Sequence, residues 1–219
     1  MTNLVRIPAI LVAIGLTAVM LASCAQSVTQ SVDGEVPSDE LRTCGESGAL
    51  HRDTPRFWAL VVDCERVLGD IDLTFASISS LAPLASVREI EGSLALLENP
   101  LDRLTGLERL EIVGADLQFR SLPITGVSEL RSLRRVGGEL TIMDNPRLGS
   151  LAGLESVETV GSLLIYGNAE LGGLDGLSGL RRIEGDLRLI ENPGLTDEEI
   201  AAFIARVEIG GRVMLEPEM

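Results

Sequence analysis

Aromatic side chains make up only 3% of this 219-residue chain, which has one histidine, one tryptophan and one tyrosine. The lone His51 leaves no second imidazole for a metal site or a proton relay, so it reads as a surface or cap residue, with no metal and no cofactor. Ser47, within "CGESG" (44–48), does not sit in a nucleophile-elbow pattern and has no histidine to complete a triad. There is no CxxC, no P-loop and no dinucleotide fingerprint. Positive charge is also scarce: 18 Lys and Arg residues face 33 Asp and Glu, for a formal net charge of −15. A polyanion of this kind is a poor ligand for nucleic acid or acidic lipid headgroups. These absences make a non-enzymatic protein the expectation.

What is present begins with a leader, residues 1–23, holding Arg6 and an apolar run from Ile7 to Met20. That run is too short to span a bilayer comfortably, since spanning takes about 20 apolar residues. It ends in Leu21-Ala22-Ser23-Cys24, which resembles the lipobox of bacterial lipoproteins. The resemblance implies that Cys24 is lipidated and becomes the mature N-terminus, anchored stably by several acyl chains. An ordinary secretory signal, or a membrane helix that happens to contain a cysteine, are the competing readings. By the sorting rule of such lipoproteins, Ala25 (not Asp) implies the outer rather than the inner membrane of a bacterial envelope, facing the periplasm or the surface. Loss of the leader removes Arg6 and takes the formal charge from −15 to −16. Cys44 and Cys64 then remain, and two cysteines in an exported chain read as one disulfide, with two free thiols as the alternative. Residues 24–43 are polar and aperiodic and read as a disordered tether with an end-to-end distance of roughly 25 Å. The folded unit is expected over 44–219.

That unit repeats itself. Asn99, Leu122, Asn145, Asn168 and Asn192 occupy equivalent sites, in steps of 23, 23, 23 and 24. Five residues before them stand Leu94, Leu117, Leu140, Leu163 and Leu187; two further on stand Leu96, Phe119, Ile142, Ile165 and Leu189. Ile71 and Leu73 extend the series backwards, and Val213 to Leu215 extend it forwards. Alternation in the x-Leu-x-Ile stretch predicts a short strand with one buried face. The arcs that follow carry apolar residues at spacing three, such as Leu81, Leu84, Val87 and Ile90, which predicts tight turns rather than helices. No coil can hide its own leucines, so the coils must stack. The prediction is a mainly β, parallel β-solenoid of about seven coils of 23–24 residues with short helical caps. Asn99, Asn145, Asn168 and Asn192 are expected to form a ladder that satisfies buried backbone groups, broken at Leu122-Pro123. "TDEEIAAFIARV" (196–207) predicts a capping helix with Thr196 as N-cap and Glu199 completing a capping box. "ALHRDTPRFWALVVDC" (49–64) would cover the other end with Phe57, Trp58, Leu60 and Val61.

"CERVLGDIDLTF" (64–75) followed by "LAPLASVREIEGSLALLENP" (81–100) resembles the receptor L domains of the epidermal growth factor and insulin receptors. "LRRVGGELTIMDNPRL" (133–148) resembles the bacterial members of that family. The resemblance covers about residues 44–216 and implies a cysteine-closed cap leading into a right-handed, leucine-rich-repeat-like solenoid that binds a ligand or partner without catalysis. The chain has one such domain, no cysteine-rich module and no signalling segment, so receptor activity and family ligand contacts do not carry over.

Two surface patterns are candidates for function. Asp70, Asp116, Glu139 and Asp186 precede the first leucine of their strands. Asp116 and Glu139, in adjacent coils, would stand about 5 Å apart, the separation of a retaining glycosidase pair. This row supports three readings: a solvated acidic edge that discourages aggregation, a calcium site, or a polysaccharide-active site. The outward strand positions supply the second pattern. Leu97, Met143, Leu164, Tyr166, Ile190 and Met214, with Arg120 and Arg188, form an exposed apolar stripe of the residue types that anchor interfaces. The expectation is a lipid-anchored envelope protein that binds a protein or glycan partner through this stripe. A polysaccharide-binding or calcium-dependent protein, and a purely structural envelope component, are the alternatives.

Overall fold

A strand of alternating buried and open residues needs neighbours on both edges, and the repeat provides them. The computed structural model describes residues 41–45, 50–51, 58–59 and 61–215. The leader, Cys24, most of the tether, Phe57 and Leu60 lie outside the described residues. Fourteen strands, β1 to β14 in chain order, form one sheet in which every pairing is parallel. The architecture is a mainly β, parallel solenoid.

Each coil carries two strand segments, where the sequence pattern predicted one. The first ribbon stacks β1 (Thr43–Cys44), β3 (Arg66–Val67), β5 (Glu89–Ile90), β7 (Ile112–Val113), β11 (Arg182–Ile183) and β13 (Glu208–Ile209). The second stacks β2 (Leu50–His51), β4 (Ile71–Asp72), β6 (Leu94–Leu97), β8 (Leu117–Arg120), β12 (Leu187–Ile190) and β14 (Val213–Met214). β9 (Arg135–Met143) and β10 (Thr159–Tyr166) run unbroken through both ribbons, with a register shift between Val160 and Ser162. Ile90, Val113, Val136, Val160 and Ile183, which the spacing of three assigned to arcs, are therefore inward residues of the first ribbon, and all are buried. The leucine, isoleucine and valine positions of every coil merge into one core, with Phe119 at its centre and fully buried.

The arcs alternate in kind. Short 3₁₀ turns span Ala82–Leu84, Ser128–Leu130 and Asp175–Leu177. In the coils between, Gly106 and Gly153 adopt φ of +115° and +113°, a region only glycine enters freely. Their N–H groups donate to Glu108 Oε2 at 2.9 Å and Glu155 Oε2 at 2.8 Å. Charge alternates in step along the first ribbon. Arg42, Glu65, Arg88, Glu111, Arg134, Glu158 and Arg181 are joined in series by backbone hydrogen bonds from each N–H to the preceding C=O, at 2.7 to 3.0 Å. Opposite signs thus meet on every rung, and the Arg88–Glu111 pair closes to 2.9 Å.

Asparagine amides close the corner after the second ribbon. Asn145 Nδ2 donates to the Phe119 carbonyl (3.1 Å) and Asn168 Nδ2 to that of Ile142 (2.9 Å). Asn192 Nδ2 donates to Ile165 (2.9 Å) and Asn99 Nδ2 to Leu73 (2.7 Å). The Oδ1 atoms of Asn145, Asn168 and Asn192 accept the N–H of Leu122, Asn145 and Asn168 at 3.0, 3.1 and 3.1 Å. Leu122 has no amide to pass on, and Asn99 Oδ1 has no partner among the described residues.

The ends are covered differently. Cys44 and Cys64 form a disulfide, Cα atoms 5.8 Å apart, beside buried Val61 and half-buried Trp58. At the far end, helix α1 (Asp197–Arg206) starts at a capping box in which Thr196 and Glu199 exchange hydrogen bonds. Its acidic first turn complements the helix dipole. Phe203 and Val207 close the core, flanked by partly buried Ile200 and Ile204.

Candidate functional site

Because Leu94, Leu117, Leu140, Leu163 and Leu187 and their partners two residues on point inward, the residues between them must face out. The second ribbon therefore displays one column containing Leu97, Arg120, Met143, Tyr166 and Ile190, in register across β6, β8, β9, β10 and β12. The neighbouring column contains Gln118, Thr141, Leu164, Arg188 and Met214. Leu97, Met143, Tyr166, Ile190 and Met214 are half-buried and Arg120 is exposed.

The expected fully exposed stripe needs correction at Leu164, which is only 8% exposed. The cause is Arg188. Its guanidinium ion-pairs with Glu139, two rungs away, so its side chain lies across the rung that carries Leu164. Glu139 also accepts the Thr141 hydroxyl at 2.8 Å, and Thr141 is buried with it. Leu164 thus packs within the face.

A residue the sequence pattern did not single out borders this face. Immediately after the outward column, the chain turns through a left-handed residue in six successive coils: Phe75, Glu98, Ser121, Asp144, Gly167 and Glu191, with φ between +51° and +66°. Polar residues or glycine suit that conformation; a bulky aromatic does not. Phe75 nevertheless occupies it and is 69% exposed, the largest exposure among the described large hydrophobics. Its position 23 residues before Glu98 marks it, in the sequence, as the only large apolar residue in a row of polar residues and glycine.

The aspartate carboxylates of the row are engaged with backbone N–H groups. Ser93 N–H donates to Asp70 Oδ1 (2.7 Å) and Glu139 N–H to Asp116 Oδ1 (2.8 Å). Arg212 N–H donates to Asp186 Oδ1 (2.8 Å). Ser93 and Ser162 do the same, accepting from Asp116 N–H (3.3 Å) and Asp186 N–H (3.1 Å). Each short side chain therefore caps the corresponding backbone group of the next coil. The glycine before that group leaves the room: a Cβ on Gly92, Gly138 or Gly211 would overlap Asp70, Asp116 or Asp186 Oδ1. The Arg212 N–H lowers the Asp186 carboxyl below the usual carboxylate range, against burial and aided by the charges of Arg212 and Arg188. Glu139, one methylene longer, turns outward to Thr141 and Arg188. Asp116 and Glu139 are thus held by separate partners. Among the described residues no group of three or more His, Cys, Asp and Glu side chains is placed to hold a metal ion.

Negative charge gathers at the other margin. The hydrogen bond with Glu191, then burial and the charges of Glu191 and Asp144, hold the Tyr166 phenol above its usual pKa. Arg120 approaches Asp144 only to 3.9 Å.

The fold defines a parallel β-solenoid with an open, partly apolar sheet face. Residues 63–149 match the model of the family described as Receptor L domain. Such a domain points to a ligand-binding role. No curated protein and no solved structure gives a significant match to the chain.

Proposed function

We propose that this chain is a non-enzymatic, lipid-anchored protein of the bacterial envelope that binds a macromolecular partner across the open face of the second ribbon. The observation that carries this reading is the half-buried column Leu97, Met143, Tyr166 and Ile190 bordered by the exposed, left-handed Phe75. Apolar and aromatic side chains held on a rigid sheet lose little entropy on docking, and such residues anchor interfaces. The inward faces of the same strands maintain the fold, so outward substitutions separate binding from stability. A Tyr166→Ser/Met143→Ser double variant is expected to keep its melting temperature and to lose capture of the partner crosslinked on intact cells. Undiminished capture by the double variant would remove the sheet face from consideration.

Anchoring rests on Leu21-Ala22-Ser23-Cys24. No described helix is long and apolar enough to cross a membrane. Cys24→Ser is expected to abolish incorporation of a radiolabelled fatty acid and to release the protein from the membrane fraction. Labelling that survives the substitution would refute the anchor.

A further inference from the structure

The two ribbons differ in how their charges are balanced. Along the first, acids and arginines alternate rung by rung and cancel. Along the second the carboxylates outnumber the arginines. Asp70, Asp116 and Asp186 cap backbone N–H groups on one margin, and Glu98, Asp144 and Glu191 line the left-handed row on the other. Arg188 is ion-paired with Glu139, Arg212 approaches Asp186 to 3.6 Å and Arg120 approaches Asp144 to 3.9 Å, which leaves Asp70, Asp116, Glu98 and Glu191 without an arginine partner among the described residues. An apolar column therefore runs between two carboxylate margins, with Phe75 at one end and the Tyr166 phenol beside Glu191 near the other.

We propose that this face takes a cationic polypeptide segment, its apolar side chains set on Leu97, Met143, Tyr166 and Ile190 against Phe75, and its lysine or arginine side chains paired with Glu98, Asp144 and Glu191. The inference rests on the reading that the face binds a partner, and it names the partner's chemistry. Anionic lipid and acidic polysaccharide are repelled by the same margins, and a neutral glycan would meet a face whose only aromatic side chains, among the described residues, are Phe75, at its border, and Tyr166. An extended peptide fits best, because it sends alternate side chains to opposite sides, so one set can lie on the apolar column while the other reaches the acidic row beside it. Across charged margins of this kind, complementarity sets specificity and the rate of encounter.

The chain contains no lysine, since all 18 of its cationic residues are arginine. A carbodiimide therefore couples lysines of a bound peptide to carboxylates of this chain without lysine crosslinks within it. The probe is a fluorescent peptide of alternating leucine and lysine about eight residues long, spanning roughly 26 Å, close to six rungs of a sheet. Companion peptides replace lysine with serine or with glutamate, and a neutral glucan oligosaccharide stands for the glycan class. Binding is followed by anisotropy on the full-length chain. The leucine–lysine peptide is expected to bind at least about ten-fold tighter than the leucine–serine one, a difference of about 1.4 kcal/mol. Raising salt to about 0.5 M should erase most of that preference. So should the isosteric triple variant Glu98→Gln/Asp144→Asn/Glu191→Gln, whereas Asp102→Asn/Glu170→Gln/Glu184→Gln, equal in charge change but off the face, should not. Phe75→Ala should weaken all leucine peptides several-fold without lowering the melting temperature, and crosslinks should map to Glu98, Asp144 or Glu191. Equal affinity for the lysine and serine peptides, both abolished by Tyr166→Ser/Met143→Ser, would overturn the cationic partner and leave the binding face standing. Peptide affinities untouched by Tyr166→Ser/Met143→Ser, or crosslinks confined to other surfaces, would overturn both. Preference for the glutamate peptide or the glucan would overturn the inference directly.

Discussion

Replacing Gly138 with alanine places a methyl group where the Asp116 carboxylate already sits. The new Cβ would overlap Asp116 Oδ1 and lie 2.9 Å from the Ala115 carbonyl carbon. The carboxylate must swing away, breaking its 2.8 Å bond from the Glu139 N–H. A hydrogen bond to a charged group contributes about 1.5–3 kcal/mol, and crowding of packed backbone adds about 1–3 kcal/mol. The site is half-buried, so solvent recovers part of this, and the expected loss is about 2–4 kcal/mol. One coil earlier the chain carries the compatible combination, Ser93 followed by Ala115, and there the cap is the longer 3.3 Å bond. Asp116→Ser should therefore cost less in the Gly138→Ala background than alone, with a coupling of at least about 1 kcal/mol. Urea unfolding of the four species of the cycle measures this, with Gly126→Ala as control because its Cβ would meet nothing closer than 4.0 Å. A Gly138→Ala variant as stable as Gly126→Ala, or strictly additive single variants, would refute the interlock of glycine and carboxylate.

Asn145→Ala is expected to cost more than Asn192→Ala, by about 1–3 kcal/mol, because Asn145 is fully buried and leaves the Leu122 N–H and Phe119 carbonyl unpaired; thermal melts of the two variants check it, and equal losses would contradict the ladder. Cys44→Ala/Cys64→Ala removes a crosslink of sequence separation 20, and the chain-entropy estimate for such a loop is about 3 kcal/mol. Its loss should appear first as faster amide exchange in β3 and β4, and unchanged exchange there would argue that the cap holds without the disulfide. Glu199, lowered by the Thr196 N–H and then by the Thr196 hydroxyl, and Asp186, lowered chiefly by the Arg212 N–H, have folded pKa values below their unfolded ones. Their contribution is therefore present at neutral pH and is lost as pH falls through the depressed folded values. The urea midpoint should drop on acidification from about pH 7 to about pH 3, and Glu199→Gln/Asp186→Asn should show a shallower drop; parallel curves would refute the assignment.

The solenoid was legible because the leucines of the second ribbon are fixed by strand alternation and recur at almost constant spacing. The first ribbon was not. Its segments, such as Glu89–Ile90 and Arg182–Ile183, are two residues long, too short for alternation to register, and their single inward residue falls at spacing three from the arc before it. The capping by Asp70, Asp116 and Asp186 was hidden for another reason: each acceptor and its donor lie 23 to 26 residues apart. The glycine beside each donor was the visible trace. Of the candidate face, the columns followed from parity alone, but the burial of Leu164 depends on Arg188 reaching Glu139, 49 residues away. Phe75 required comparing one position across all coils rather than reading along one.

Two properties of this solenoid alternate from one rung to the next: the kind of turn in the arc and the charge on the first ribbon. The unit that can be copied or lost without conflict is consequently a couple of adjacent turns. Excising residues 112–134 would bring Glu111 against Glu158, whereas excising 112–158 would bring Glu111 against Arg181. Lengthening or shortening of such a rod over descent is then restricted to even steps, and a relative with an odd change in its number of rungs must have rewritten the arginine–glutamate series on one side of the junction.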